Sequence, residues 1–461
     1  MAKRKKSGVK LSVLSGVMFV TLILMIFLSV LSFKKEEKTA VRALPVMKIS
    51  LVNTTLTEIQ ENGKDVKYGG NQVEIFDNGI TISYDNVEIK GRGNFSWMAE
   101  KKSYRIKFDG KVNLLGMGKK KKWALIANSV DNSLMRNDLA YYVANLLGEE
   151  YQPQGRFVEL LVDDEDLGVY YLIPSMEVDK LAVDLKDSEG VLVELDNVYC
   201  KEEEKWWVAK NGDCLTVKDV VTEDLTDEVM EEFVTEYNDL LVALRRKDFE
   251  AASEIVDMES FARYFLISEF AADPDAYATS WYFYKNGADD KIHAGPVWDF
   301  DAAFGNLEWG DWPEGFYDAG TPLNRFEYTY EKKDGAGVCR YDKNKTMLET
   351  INISWVMCDF LEMPEFRELT SEIYERDFRD KREVVKRYIY LKAQEIGEFA
   401  RKDAEKWGKG DFDAEVWYLM EWVEKRFELL DELLGFGDAT FGADEGDAPA
   451  EMDEVEPESF L

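Results

Sequence analysis

The sequence predicts an α+β fold, with an N-terminal lobe of mixed or antiparallel sheet, a mainly helical C-terminal lobe and one transmembrane helix before them. Apolar and polar residues alternate from Met47 to about Phe108, as in half-buried strands. Apolar residues recur at spacings of three and four in the second half, as in amphipathic helices. An uncharged stretch, Leu11–Phe33, precedes both patterns.

The uncharged stretch is long enough to cross a bilayer. Its 23 residues reach about 34 Å as a helix, against a hydrocarbon core of roughly 30 Å. Five cations precede it, which favours a cytoplasmic N-terminus. It runs into Lys34 without a small-x-small cleavage site, so a signal anchor is preferred to a cleaved signal peptide. We expect a single-pass protein of the cell membrane with an extracytoplasmic C-terminal domain.

The chain is therefore expected to divide into five parts. The last part carries nine acidic residues and no basic one, which is typical of a disordered tail. The parts are a basic cytoplasmic segment (1–10), the anchor (11–33), a tether (34–46), one domain (47–437) and the acidic tail (438–461). Within the domain, the sheet lobe is expected over about 47–220 and the helical lobe over about 221–437.

Individual elements follow from the same patterns. Strands are predicted at Trp123–Ala127, Phe157–Val162, Gly168–Ile173, Gly190–Leu195, Trp281–Tyr284 and Ala294–Phe300. Helices are predicted from Asp131 to Leu147 and over residues 225–247, 257–271, 364–406 and 413–434.

Composition excludes several classes of protein. With 57 Lys+Arg against 91 Asp+Glu, the net charge of −34 gives no electrostatic footprint for nucleic acid. A single histidine, His293, excludes zinc sites that need two or three imidazoles. Four cysteines occur without a Cys-x-x-Cys motif. Cys200 and Cys214 flank a predicted hairpin and are interpreted as buried thiols or one disulfide.

Two aspartates lie in the apolar segment Gly295-Pro-Val-Trp-Asp-Phe-Asp301. In an extended chain, Asp299 and Asp301 would project to the same side. Paired carboxylates repel unless a cation or proton offsets them, and they suit Mg²⁺ or Mn²⁺. A turn with hydrogen-bonded acids is the alternative. The apolar neighbours favour the functional interpretation, because buried acids are costly.

Basic residues cluster earlier in the chain. Gly91-Arg-Gly-Asn94 is followed by Lys101-Lys102, and Arg105 and Lys107 share one face of a predicted strand. Such residues bind phosphate oxygens, although a solvated turn is the commoner role for them. The four lysines 119–122 are interpreted as a solvated hairpin tip. No Gly-x4-Gly-Lys-Ser/Thr motif is present, which excludes a P-loop.

A third acidic motif, Asp273-Pro-Asp275, ends an apolar helix 24 residues before Asp299. A carboxylate that accepts a hydroxyl proton, with a separate metal-binding aspartate downstream, is the arrangement used in phosphoryl transfer. A helix C-terminal turn accounts for the motif equally well.

In this order, the segments resemble the spore-coat protein H (CotH) kinase family over about residues 47–310. The matching pieces are Ile89-Lys-Gly-Arg-Gly-Asn94, Trp97, Lys101-Lys102-Ser-Tyr-Arg-Ile-Lys107, Leu114-Leu-Gly-Met117, Lys122-Trp123, Asp131-Asn-Ser-Leu-Met-Arg-Asn137, Arg156-Phe-Val-Glu159, Gly168-Val-Tyr-Tyr-Leu172, Val193-Glu-Leu-Asp196 and Gly295–Gly305. The resemblance implies a bilobal fold similar to atypical protein kinases. It also implies ATP and Mg²⁺ (or Mn²⁺) as cofactors, and phosphorylation of Ser or Thr in surface or coat proteins.

The resemblance also implies roles for individual residues. Asp299 would hold metal with help from Asp301, and Asp275, with Asp273 as substitute, would orient the acceptor hydroxyl. The nucleotide would be bound by Lys107 or Lys102 at the phosphates, by Arg92 and Asn94 near them, and by Glu177 or Arg136 orienting the lysine. Ser280 stands five residues after Asp275, where a kinase catalytic loop has Asn, which places a second metal site in doubt.

Two other interpretations remain open. A non-catalytic surface module would keep the fold and use its aromatic residues for adhesion. A carboxylate-pair glycosidase would use the acids and the 12 tryptophans, and its activity would survive chelation.

Overall fold

A computed structural model describes residues 43–273, 275–306 and 354–436, together with the short strands β13 (Lys332–Lys333) and β14 (Ala336–Gly337). Within these residues, no helix combines the length and hydropathy that crossing a membrane requires. The predicted anchor (11–33), residues 34–42 of the predicted tether and the predicted acidic tail (438–461) lie outside the described residues.

The N-terminal half forms a closed barrel of seven strands in the order β1-β2-β3-β4-β5-β7-β6. Neighbouring strands are antiparallel, except that β1 and β6 are parallel. The strands are β1 (Val46–Ser50), β2 (Tyr68–Asp77), β3 (Ile80–Arg92), β4 (Ser103–Asn113), β5 (Lys119–Ile126), β6 (Arg156–Val162) and β7 (Glu165–Pro174).

Alternation along the strands fills the barrel. Tyr104, Ile106, Trp123 and Leu125 are buried in one interior core, to which helix α1 (Leu56–Glu61) contributes Leu56 and Ile59. The expected mixed or antiparallel sheet lobe is therefore wrong in one respect, since the sheet closes on itself. Closure depends on β1 pairing with β6 in the register Val46↔Glu159, a contact between distant residues that no local pattern encodes.

A second, five-stranded sheet has the order β12-β11-β8-β10-β9. Its strands are β8 (Val191–Leu195), β9 (Trp206–Val208), β10 (Cys214–Val220), β11 (Trp281–Lys285) and β12 (His293–Ala294). Because β8 pairs with β11, this sheet contains strands from both sides of the predicted lobe boundary near residue 220. Cys200 and Cys214 form a disulfide, which confirms one of the two interpretations of that pair.

The remaining elements are mostly helical and agree closely with the predicted ranges. The predicted helix 364–406 is interrupted by a π-helical turn (Tyr374–Phe378) and a 3₁₀ turn (Arg379–Lys381). The helices are α2 (Phe95–Met98), α3 (Arg136–Leu146), α4 (Thr226–Arg245), α5 (Phe249–Ile255), α6 (Met258–Ala271), α7 (Val356–Leu361), α8 (Pro364–Ile373), α9 (Arg382–Trp407) and α10 (Phe412–Leu433).

The outer face of the barrel joins the two halves. Ala124 and Ile126 of β5, Phe157 of β6 and Tyr171 of β7 point away from the interior and belong to the core of the helical half. These three strands are thus buried on both faces. Side chains that project from the same outer face of β3, β4 and β5 reach the candidate site.

Candidate functional site

The segment Gly295–Asn306 follows β12 and carries the paired aspartates. The predicted strand Ala294–Phe300 is wrong beyond Ala294, because the chain leaves the sheet there. Asp299 has φ 66°, which is left-handed and incompatible with an extended strand. The period-two argument for a shared side therefore fails, and the two carboxylates are brought together by a turn.

Hydrogen bonds from three other parts of the chain fix this segment. Gln152 accepts from the Val297 amide at 2.9 Å and donates to the Val297 carbonyl at 3.2 Å. Asn137 on α3 accepts from the Phe300 amide at 2.7 Å. The Phe304 amide donates to the Ala271 carbonyl at the end of α6, also at 2.7 Å. The backbone that carries the aspartates is therefore held on both sides.

Arg136 is a support for this segment. Its buried guanidinium donates from Nε to the Ala303 carbonyl at 3.1 Å and pairs with Asp131 at 2.5 Å and with Glu415 of α10 at 2.9 Å. These partners occupy the guanidinium on all of its donor edges. The structure thus gives Arg136 a positioning contact with the aspartate segment, in place of the predicted contact with a lysine.

The acidic side of the site is formed by Asp273, Asp275, Asp299 and Asp301. The Asp299 side chain is exposed to solvent, and desolvation by the surrounding protein raises its pKa, Arg92 lowers it and Asp196 raises it. Burial raises the pKa of Asp301 well above its usual range, and the neighbouring charges of Asp299, Asp275, Asp131 and Asp273 raise it further. The carboxylates are close enough to repel one another, which a bound cation would relieve.

Asp273 and Asp275 lie where α6 ends. Ala272 adopts a left-handed conformation that terminates the helix, and the Asp273 amide donates to the Ser268 carbonyl at 3.1 Å. The Asp275 amide donates to the Asp273 carboxylate at 3.2 Å. The alternative interpretation as a helix C-terminal turn is therefore correct for the backbone. The same turn delivers both carboxyl groups to the acidic side.

The basic side is formed by Arg92, Arg105 and Lys122 on the outer face of the barrel. The Arg92 guanidinium lies 5.2 Å from the ring centre of Trp298, the residue before Asp299. Trp298 in turn stacks on Tyr141 of α3 at 5.7 Å. Arg92 therefore joins the end of β3 to the aspartate segment.

Arg105 is a partly buried cation of the basic side. Burial lowers its pKa, and the neighbouring Arg92 lowers it further, while Glu177 and Tyr282 oppose this change. Within the described residues, its buried Nε atom has no hydrogen-bond partner. A buried donor without an acceptor is costly, and an anion bound at this position would satisfy it.

Lys122, on the basic side, is held by a carboxylate. Its ammonium lies 2.6 Å from Glu177 Oε2, and the buried Lys120 lies 3.1 Å from Glu177 Oε1. The interpretation of residues 119–122 as a solvated hairpin tip is wrong, because they form the first half of β5. Glu177 thus orients Lys122, and not Lys107 or Lys102 as expected.

The other predicted phosphate ligands are placed differently. Lys107 projects outward from β4 directly opposite Lys122. The Lys102 ammonium donates to the carbonyls of Trp97 at 2.7 Å and Ala99 at 3.0 Å, so it braces the loop around α2. Asn94 accepts a hydrogen bond from Lys64. Of the predicted phosphate ligands Lys107, Lys102, Arg92 and Asn94, Arg92 is therefore the one that the structure places against the aspartate segment.

Sequence reasoning assigned no role to several residues of the second sheet. Glu194 on β8 is buried, which raises its pKa to about 7, and it pairs with Lys218 of β10. Tyr282, opposite Glu194 on β11, has its pKa raised by burial and Glu194 and lowered by Arg92. The alternation in Val193-Glu-Leu-Asp196 was the available signal, since it places both acids on one face.

The donor set fits a hard divalent cation only in part. Within residues 43–273, 275–306 and 354–436, no three His, Cys, Asp or Glu side chains approach closely enough to hold a metal by themselves. Mg²⁺ is commonly held by one or two carboxylates, with water and substrate phosphates completing the shell. Asp299 and Asp301 meet that smaller requirement, and their mutual repulsion favours a cation.

The chain matches a known family of proteins over most of its length. The family model described as CotH kinase protein matches residues 89–430. The matched region includes both sides of the site, from Arg92 to Asp301. No curated protein matches the sequence.

Proposed function

The chain belongs to the CotH kinase family, and from this premise we propose that it transfers the γ-phosphate of ATP to Ser or Thr hydroxyls of surface or exported proteins. The observation that carries the proposal is the pairing of two oppositely charged sides. Carboxylates with raised pKa values lie beside a basic side that contains, among the described residues, an unpartnered buried donor. A nucleotide supplies negative charge to the basic side, and a divalent cation supplies positive charge to the acidic side.

Asp299 and Asp301 are the residues that would hold Mg²⁺ or Mn²⁺. The support is their electrostatic coupling on a segment that Gln152 and Asn137 fix in place. When bound, the cation neutralises charge on the phosphates and on the carboxylates together. The role of the protein is to hold these two acids close despite their repulsion.

Arg92, Arg105 and Lys122 are the residues that would bind the phosphates. Lys122 is preferred to Lys107 and Lys102, because its Glu177 partner fixes the ammonium, as the lysine–glutamate pair does in protein kinases. Arg92 is fixed by Trp298, and Arg105 projects from the same face of the barrel. These side chains would hold the phosphates of a nucleotide on the side of the site that adjoins Asp299.

Asp275 would act on the acceptor. Its carboxylate takes the proton of the Ser or Thr hydroxyl as the hydroxyl oxygen bonds to the γ-phosphorus, and the bond to the oxygen bridging to the β-phosphate breaks to release ADP. Burial and the charge of Asp275 raise the pKa of Tyr199, so the two side chains interact electrostatically.

The same proposal includes a kinase-like bilobal arrangement and a location outside the cytoplasm. The barrel would serve as the nucleotide lobe and the helical half as the acceptor lobe. The Cys200–Cys214 disulfide supports an oxidising compartment, in agreement with an anchor at residues 11–33. Exported or surface proteins are then the accessible partners.

The test is phosphotransfer by the full chain. The protein is incubated with γ-labelled ATP and Mg²⁺ or Mn²⁺, and label on Ser and Thr of the chain and of added surface proteins is measured. We expect labelling that EDTA abolishes. Absence of labelling, together with no nucleotide binding by a folded chain, would favour the non-catalytic module.

A further inference from the structure

The hairpin of β2 and β3 ends in an exposed apolar tip. Its turn is Asn78–Gly79, where both residues have positive φ, as a tight two-residue hairpin requires. The side chains around the turn are apolar and open to solvent: Phe76 is 48%, Ile80 64% and Ile82 48% exposed. Three large apolar groups at one tip are unusual for a surface in water.

The apolar groups lie on both faces of the hairpin. Ile82 is opposite the buried Ile75 and shares its face, whereas Phe76 is opposite Thr81 on the other face. Asp77, the acidic residue at the tip, lies 3.8 Å from Arg156, so its charge is offset. A flat partner surface would cover the apolar side chains on only one face of the tip, whereas an apolar medium would surround those on both faces.

The tip lies beside the point where the chain enters the barrel. Val46, the first residue of β1, is directly opposite Phe76 of β2. Residues 34–45 separate Val46 from the uncharged stretch Leu11–Phe33. Twelve residues span at most about 43 Å when extended. A chain anchored by residues 11–33 therefore keeps the apolar tip within reach of the bilayer surface.

We propose that the tip of the β2–β3 hairpin, with Phe76, Ile80 and Ile82, inserts into the lipid surface in which the chain is anchored. This second contact fixes the orientation of the barrel. β3 has 13 residues and runs from Ile80 to Arg92, so the basic side of the site lies up to about 40 Å along the strand from the tip. The site is thereby directed away from the bilayer, towards proteins of the surface layer. The proposal depends on the anchor and not on the kinase activity.

The test measures the depth of the tip in a membrane. The full chain with Ile80→Cys, labelled with an environment-sensitive fluorophore, is reconstituted into phosphatidylcholine vesicles with or without spin-labelled lipid. The matched control is Trp417→Cys on α10, where the native side chain is 74% exposed. We expect blue-shifted fluorescence at position 80 that spin-labelled lipid quenches, and neither effect at position 417. Both sites are exposed, so neither substitution disturbs the core.

Each other outcome overturns the proposal in a distinguishable way. Vesicle-bound protein with no quenching at position 80 leaves the anchor intact and shows that the tip is solvated. Fluorescence at position 80 that depends on the protein-to-lipid ratio and resists lipid quenching shows that a second copy covers the tip. Protein that does not float with the vesicles contradicts the anchor and the insertion together. Phosphotransfer measured in parallel is independent of these results.

Discussion

The two sides of the candidate site differ in how their charges are held. On the basic side, Lys122 is paired with Glu177 and Arg92 lies over Trp298, so these cations are fixed before any ligand arrives. On the acidic side, burial and then the charge of Asp299 raise the pKa of Asp301, so the carboxylates repel one another. The basic side is therefore preorganised, whereas the acidic side is held together against its own repulsion.

This difference predicts which side of the site loses more activity when one of its charged residues is substituted. Removing one carboxylate from the acidic side removes a proposed ligand of the metal ion, and no neighbouring side chain replaces it. Removing one of several fixed cations leaves the others in place. We therefore expect losses of activity to be larger on the acidic side.

The largest effect is expected for Asp299→Ala. Metal stabilisation of the transferring phosphate contributes several kcal/mol, so phosphotransfer should fall on the order of 1,000-fold. The rate is measured with labelled ATP, and folding is checked by circular dichroism. Glu405→Ala, which removes an exposed carboxylate on α9, should retain full activity. An Asp299→Ala enzyme as active as the Glu405 control would contradict the metal role.

A smaller effect is expected on the basic side, where two lysines provide a matched pair. Lys107 and Lys122 face each other across β4 and β5, and Lys122 is the one whose ammonium Glu177 holds at 2.6 Å. Lys122→Ala should raise KM for ATP about 10- to 100-fold, as loss of a charge-assisted contact does. Lys107→Ala should change KM little. The reverse order would assign the phosphates to Lys107.

A pH effect is expected behind the acidic side, at Glu149. This buried carboxyl lies against Gly295, since a Cβ built on that glycine would be 2.2 Å from Glu149 Oε1. Burial, aided by the charges of Glu150 and Asp257 and opposed by Arg263, raises its pKa from 4.5 to about 8. The folded protein therefore holds a proton that the unfolded chain releases above pH 4.5.

The stability that Glu149 contributes should consequently be greatest below about pH 4.5 and fall as the pH rises towards 8. The loss between pH 6 and pH 8 is about 2 kcal/mol. In urea unfolding across that range, Glu149→Gln should flatten the decline. An identical decline in the variant and the native protein would show that Glu149 is ionised in the folded state.

The roles expected of Asp275 and Asp299 are implied by the family resemblance, and the structure brings both carboxylates to the acidic side although the strand prediction around Asp299 is wrong. The strand prediction at Asp299 fails because the backbone turns there, with a positive φ. The apolar neighbours Trp298 and Phe300 produce the same sequence pattern in a turn as in a strand. Helix ranges are predicted well because apolar spacing of three and four, sustained over many residues, is characteristic of an amphipathic helix.

The basic side was harder to predict. Alternation predicts that Arg105 and Lys107 share one face of their strand, whereas the sequence pattern around Lys122 is interpreted as a solvated hairpin tip. The assignment of Lys122 depends on Glu177, which follows β7, and so on the pairing of β5 with β7. Barrel closure is likewise a long-range pairing, between β1 and β6. Such contacts are properties of the packed chain, and a single sequence does not display them locally.

The most direct test of the two-sided site is thermal unfolding of the full chain with ATP alone, with Mg²⁺ alone and with both. Because each side needs the charge that the other ligand brings, we expect a clear rise in Tm only with both together, as preferential binding to the folded state requires. The rise should disappear in Asp299→Asn. An equal rise with ATP in the presence of EDTA would contradict the account.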